Sequence, residues 1–251
     1  MVACGSYDQN SFSHRQVDAA TGAPIHSTPL LGRYGHWRIT PDRRTLYDGD
    51  PYLVPASLIS IDVTGTLPVI ANLNPPGTSG ANCQDVAISH NGEFFAFVVG
   101  TGNELGHARD IGLYSTKDQT VVGDLIVGQA YPNQIAFSPD DEFAYVVNAP
   151  EDVKVFSTKT NALVDEWHFG KSPDQAIDLI VDGSGSHLFA INNNIAGSHP
   201  DNLTVFATGR GAIPEPSTLA LAAIAMCTAT AGYFGQLPKS SGSKRTAALS
   251  H

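Results

Sequence analysis

The residues able to do chemistry are plentiful in this chain and scattered along it. Nine histidines are spread over 251 residues. His14, His26, His36, His90, His107, His168, His187 and His199 fall at none of the spacings, such as His-Glu-x-x-His, that set two ring nitrogens on one metal. The three cysteines form no Cys-x-x-Cys pair. Cys227 lies in an apolar stretch, which leaves Cys4 and Cys83 as the pair that could form a disulfide; spacing alone leaves that open. No Gly-x-Ser-x-Gly elbow, Walker loop or dinucleotide fingerprint occurs. On these grounds no catalytic residue, metal site or cofactor is expected. Residues 1–210 carry 23 Asp and Glu against 11 Lys and Arg, a net charge of −12. That field repels phosphate backbones, so nucleic acid is not an expected partner.

The elements that must position these groups are short and β-rich. Between Gln134 and Trp167, apolar runs at Ile135–Phe137, Phe143–Val147, Val153–Phe156 and Ala162–Trp167 are separated by two polar turns, Ser138-Pro139-Asp140-Asp141 and Ser157-Thr158-Lys159-Thr160-Asn161. Each run is too short for a stable helix. The unit recurs. Asp110–Lys117 matches Asp152–Lys159 at an offset of 42, and Asn202–Thr208 matches it at an offset of 50. Ser89-His90-Asn91-Gly92 and Thr40-Pro41-Asp42 stand where Ser138-Pro139-Asp140 stands. Four strands in a period of forty-odd residues predict an all-β fold of β-propeller blades, with about four copies visible. Blades stack face to face, which accounts for continuous apolar runs such as Ala144–Val147 in place of strict alternation.

The segment Ser138-Pro-Asp-Asp-Glu-Phe-Ala-Tyr-Val-Val-Asn148, followed by Val153-Lys-Val-Phe-Ser-Thr-Lys-Thr-Asn161, resembles the YVTN-type β-propeller repeat. The likeness runs over 37–208. It implies blade architecture and little about activity, since such propellers include surface-layer proteins, lactonase-like enzymes and quinoprotein relatives. Residues 1–36 are expected to be partial outer blade strands with their connection, because Val17–Ala23 matches Phe156–Ala162. The last copy has no fourth strand after Thr208. Either a strand near Ile25–Leu31 completes that last blade, or the chain is the C-terminal part of a larger propeller. The second arrangement is the expected one, with further blades and a signal peptide encoded upstream.

After a proline-rich linker at 209–218 the character changes. Leu219–Phe234 is uncharged and mostly apolar, and no charge falls between Glu215 and Lys239. That window could form a single apolar helix of about 34 Å, against about 30 Å of hydrocarbon. A transmembrane sorting helix is therefore expected over 219–238, ahead of a basic polar tail at 239–251. Pro214-Glu215-Pro216, the apolar stretch and the basic Lys239, Lys244 and Arg245 together resemble a PEP-CTERM sorting signal. The resemblance implies a bacterial exported protein, anchored transiently in the inner membrane and recognised by an exosortase. Its destination would be the cell envelope, outer surface or extracellular matrix. One departure is that Arg245 stands well beyond the apolar stretch.

Two functions fit. One is a non-catalytic surface or matrix protein whose propeller is an interaction scaffold for a protein or polysaccharide. The other is an exported propeller enzyme, lactonase-like or quinoprotein-related, although no matching carboxylates and histidines stand out at equivalent blade positions. Binding is expected on the loops joining second to third strands and blade to blade. Their candidate residues are Asp48, Asp50, Tyr52, His107, Arg109, His199 and Asp201.

Overall fold

The computed structural model describes residues 2–8, 11–29, 36–50, 57–66, 69–73, 82–99, 111–127, 131–149, 152–168, 174–194 and 202–209. Every regular element among them is a strand, and all pairings are antiparallel within five separate sheets. The first sheet has three strands, β1 (Val2–Asp8), β2 (Ser11–Val17) and β3 (Pro24–Pro29). The next three sheets have four strands each. They are β4 (His36–Ile39) to β7 (Val69–Asn72), with β5 (Thr45–Asp50) and β6 (Ser57–Asp62) between; β8 (Cys83–Ile88), β9 (Phe94–Val99), β10 (Ile111–Ser115) and β11 (Val121–Leu125); then β12 (Tyr131–Phe137), β13 (Phe143–Ala149), β14 (Asp152–Ser157) and β15 (Leu163–His168). The fifth sheet holds β16 (Asp174–Val181), β17 (His187–Asn194) and β18 (Asn202–Ala207).

Five sheets are present among the described residues: one for each of the four expected copies and a three-stranded one over residues 2–29. Residues 2–29 form a three-stranded sheet of their own, in which β3 pairs with β2. The strand near Ile25 is therefore committed to its own sheet and does not complete the last one. The expected helix at 219–238, the linker and the basic tail lie outside the described residues. Among the described residues no helix is long and apolar enough to cross a membrane.

Sheets stack in chain order, each turning one face forward and one back. Tyr145, Val147, Val153 and Val155 on the forward face of the fourth sheet pack against Leu179, Leu188 and Ala190 on the rear face of the fifth. Ala96, Val98, Ile111 and Leu113 of the third sheet meet Ile135, Phe137, Ala144 and Val146 of the fourth in the same way. Tyr47 and Leu58 of the second meet Val86, Phe95 and Phe97 of the third, with the Tyr47 and Phe95 rings stacked at 3.9 Å. Burial on both faces is why the middle strands read as unbroken apolar runs.

The turns that carried the repeat are built alike. The hydroxyls of Thr40, Ser89 and Ser138 each accept the N–H five residues on and donate to the Asp or Asn side chain two residues on. In the fifth sheet the Asp182 carboxylate replaces the hydroxyl, accepting from His187 N and Ser184 Oγ. One residue in each turn takes a left-handed conformation: Arg43, Gly92, Asp141 and Gly185. At Gly92 and Gly185 a side chain would also crowd the preceding sheet's proline, with a Cβ only 3.2 Å from Pro41 Cδ or Pro139 Cδ. Between these two sits a different solution. His90 stands where the turns of the second and fourth sheets have proline, so it retains a backbone N–H, and Asp141 of the following sheet uses it. The Asp141 carboxylate accepts His90 N and Asn91 N, both at 2.7 Å, tying the third sheet to the fourth.

A threonine fastens the second turn to the first in the third, fourth and fifth sheets. Thr116, Thr158 and Thr208 donate their hydroxyls to the carbonyls of Gly92, Asp141 and Gly185. The second sheet has Val63 at this place and keeps only the backbone bond, Val63 N to Arg44 O. Thr158→Val is accordingly expected to cost about 1 kcal/mol, the net worth of one hydrogen bond, without loss of the fold. Urea unfolding followed by circular dichroism checks it.

Candidate functional site

Aligning the blades on their first turn and stepping back four residues picks out one position on each innermost strand: His36 on β4, Asp85 on β8, Gln134 on β12 and Asp178 on β16. On β8, β12 and β16 a register shift falls immediately before it, between Cys83 and Asp85, Pro132 and Gln134, and Ala176 and Asp178. Such a bulge re-aims the side chain that follows. Polar groups therefore do stand at equivalent positions, although they are a His, two Asp and a Gln rather than one repeated carboxylate or histidine. The repeat hides them because their residue types differ from blade to blade.

Asp85 is the centre of this set and is 1% exposed. Its Oδ1 accepts Val86 N at 2.8 Å and lies 3.3 Å from Arg38 Nη2, with His36 Nδ1 at 3.8 Å. Oδ2 accepts Ile135 N of the next sheet at 3.2 Å. Burial pushes its pKa up to about 6 against the pull of Arg38 and the two backbone donors. Burial, with a smaller push from Arg38, lowers that of His36. Asp178 repeats the first of these contacts, its Oδ1 accepting Leu179 N at 2.8 Å.

Asp48 and Asp50 belong to the same end of the blades, but as strand residues. They lie within β5, ahead of the loop in which they were expected, and both are buried. Asp48 sits opposite Trp37 on β4 and Ile59 on β6. Burial first, and then the charge of Asp50, raise its pKa to about 7. Tyr52, His107, Arg109, His199 and Asp201 lie outside the described residues, as do Pro214, Glu215, Pro216, Lys239, Lys244 and Arg245.

Cys83 is fully buried and carries a free thiol, so the disulfide to Cys4 left open by the sequence is not formed. Burial, then the carboxylates of Asp85, Asp48 and Asp50, hold that thiol well above its ordinary pKa, which makes it a poor nucleophile. It fits because Gly49 faces it: a Cβ there would stand 2.2 Å from Cys83 Sγ. Gly49→Ala is expected to cost about 2 kcal/mol through overpacking, and Cys83→Ala in the same chain to restore most of it. A double-mutant cycle of urea midpoints reads the coupling.

Two other polar places are less central. Asp152, Glu166 and His168 bring ligand-type atoms within 4.8 Å of one another on β14 and β15. There His168 Nδ1 meets Asp152 Oδ1, and Lys154 Nζ stands 3.0 Å from Glu166 Oε1, so the group reads as a cross-strand ion-pair ladder. At the opposite end of the blades from Asp48, a cavity of about 250 Å³ lies between the first turns of the second and third sheets. Thr40, Asp42, Tyr47, Asn91, Thr116 and Lys117 line it.

Stacked antiparallel sheets, with innermost strands β4, β8, β12 and β16 following one another, define a β-propeller-like fold. No protein-family model matches the chain. No curated protein matches it either. Solved structures match in number, 1170 chains in all, so the fold is widely used and does not select an activity. Among them is the hydrazine synthase of Kuenenia stuttgartiensis, similar with a TM-score of 0.61 and 17% identity over 82% of this chain and 67% of that one. At that identity the likeness is one of fold.

Proposed function

We propose that this chain is an exported, non-catalytic interaction scaffold: a YVTN-type propeller repeat protein delivered to the cell envelope or extracellular matrix by a PEP-CTERM tail. The observation that carries the scaffold reading is the use of Asp85. Its carboxylate accepts from Val86, Ile135 and Arg38, which makes it a clip between neighbouring sheets rather than a reagent facing a substrate. Export rests on the tail, with Pro214-Glu215-Pro216, the apolar stretch and Lys239, Lys244 and Arg245 in the order an exosortase-type enzyme reads. The ligand expected is a protein or polysaccharide of the matrix, met by the loops beyond Asp50 that carry Tyr52, His107, Arg109, His199 and Asp201.

The test is export of the chain, fused behind a secretion signal, in a bacterium with and without its exosortase. The reading expects a shortened product in the envelope or matrix fraction only when the exosortase is present, and its loss on Glu215→Ala. An uncut product with unchanged location in both hosts contradicts it.

A second reading, the exported propeller enzyme, is favoured by one observation. Asp48 at about 7 and Asp85 at about 6 are poised for proton transfer near neutrality, with His36 and Arg38 beside Asp85. Turnover of a lactone by the purified chain, abolished by Asp48→Asn without any fall in melting temperature, would establish it in place of the scaffold.

A further inference from the structure

The clefts between successive first turns share one plan and are filled differently. Between the third and fourth sheets the left-handed position is Asp141, and its carboxylate fills the cleft, accepting His90 N and Asn91 N at 2.7 Å each. Between the second and third sheets that position is Gly92, which has no side chain to send in. Pro41 stands in the place of His90 and has no N–H, whereas Asp42 stands in the place of Asn91 and keeps one. No described residue accepts Asp42 N. The cavity of about 250 Å³ is the space that results, with Asp42, Asn91 and Lys117 exposed along it.

The polar atoms left over in this cavity match hydroxyls. Asp42 Oδ1 is committed to Thr40 Oγ1 and Arg44 N, while Oδ2 bonds no described residue. A carboxylate in the place of Asp141 would take Asp42 N but would face the Asp42 charge, where its counterpart faces the neutral Asn91. A hydroxyl accepts that N–H and donates to Oδ2 as well. The net charge of −12 over residues 1–210 adds to the repulsion of anions. On the third sheet's side, Lys117 is an ammonium that no described carboxylate pairs. Thr116 Oγ1 donates to Gly92 O at 2.6 Å and keeps lone pairs for a second hydroxyl. Gly185 and Pro139 repeat the glycine and proline one cleft further on, but Gly209 replaces Lys117 there, so the cation is particular to this cleft. Small-molecule sites commonly measure about 300–1,000 Å³, so this one suits a single ring.

We infer that the cleft between the first turns of the second and third sheets binds one neutral hexopyranose ring. Asp42 holds one hydroxyl through its N–H and Oδ2, and Lys117 with Thr116 holds a neighbouring one. The inference goes beyond the scaffold reading and stands without it. The cleft lies at the end of the blades opposite Asp48 and needs neither export nor processing of the tail.

Saturation-transfer NMR tests this on the full-length chain, in a polyoxyethylene detergent that disperses the apolar tail and carries no sugar headgroup. The probes are methyl glucoside, methyl galactoside and methyl mannoside. At least one is expected to bind saturably at a single site, with a Kd on the order of 1 mM for so small a ligand. Lys117→Met and Asp42→Asn are each expected to weaken it about tenfold, as loss of a hydrogen bond to a charged group does. Lys159→Met, at the same turn position beside the filled cleft, is expected to leave it unchanged. Sodium glucuronate is expected to bind wild type more weakly than the neutral glycoside and to gain on it in Asp42→Asn. Displacement of the glycoside by dextran, galactan or mannan makes the ligand a polysaccharide end, and failure to displace it makes the ligand a free sugar. Circular dichroism melts that match wild type show that the variants are folded. No saturable response from any of the three glycosides overturns the inference. So does a response that survives Lys117→Met, one that Lys159→Met weakens equally, or glucuronate binding tighter than all three.

Discussion

Asp85→Ala is expected to lower the unfolding free energy by about 3 kcal/mol, because it strands two buried backbone donors, Val86 N and Ile135 N, on different sheets. Asp85→Asn keeps one acceptor oxygen for one of the two donors and turns an NH2 toward the other, so it is expected to recover no more than about half of that loss. The pH dependence separates charge from geometry. The Asp85 pKa is raised to about 6 from 3.8, so the unfolded carboxyl ionises before the folded one. Its contribution is then fully present below about pH 4 and is lost as pH rises through about 6. Wild type should therefore lose stability over that window more steeply than Asp85→Asn. Guanidinium unfolding at a series of pH values measures both effects, and an Ala variant as stable as wild type at every pH would remove Asp85 from the inter-sheet clip.

Asp48→Asn is expected to stabilise the protein at alkaline pH. The Asp48 carboxyl is 8% exposed and its pKa stands at about 7 against 3.8 unfolded. That gap corresponds to about 4 kcal/mol favouring the protonated form in the folded state. The sign is the same as for Asp85: stability is highest below about pH 4 and falls as pH passes through about 7, where the buried carboxylate ionises beside Asp50. The amide cannot ionise, so near pH 8 the variant should melt several degrees higher than wild type, and near pH 4 the two should coincide. Differential scanning calorimetry at the two pH values reads the crossover. A wild-type melt that does not fall between them would show that Asp48 ionises freely in the folded chain.

Much of the blade was legible in the sequence because its turns are chemically marked. Ser138, Asp140 and Thr158 each make a hydrogen bond that fixes a turn, so their spacing repeats even where the strands diverge. The first sheet was less legible. Cys4-Gly5-Ser6-Tyr7-Asp8 and Ser11-Phe12-Ser13-His14-Arg15 lack the unbroken apolar runs of strands buried on both faces, and only the turn after Val17 betrayed them. The polar positions on the innermost strands were hidden for another reason. His36, Asp85, Gln134 and Asp178 share a place in the blade, but only Asp85 and Asp178 share a residue type, and bulges shift three of the four against their neighbours. Asp48-Gly49-Asp50-Pro51 has the composition of a surface turn. The burial of Asp48 and Asp50 goes with Gly49 admitting the Cys83 thiol, a contact between sheets that no local pattern encodes.

Stacking of separate sheets, with innermost strands shielded and outermost strands at the rim, predicts a gradient of backbone protection. Native-state hydrogen exchange resolved by mass spectrometry tests it within each four-stranded unit. Amides of β8, β9, β12 and β13 should exchange slowest and those of β11 and β15 fastest, with the hydrogen bond at Ile135 N among the most protected. Protection that is highest in β11 and β15, or uniform across the four strands of a unit, would contradict stacked blades as the architecture of this chain.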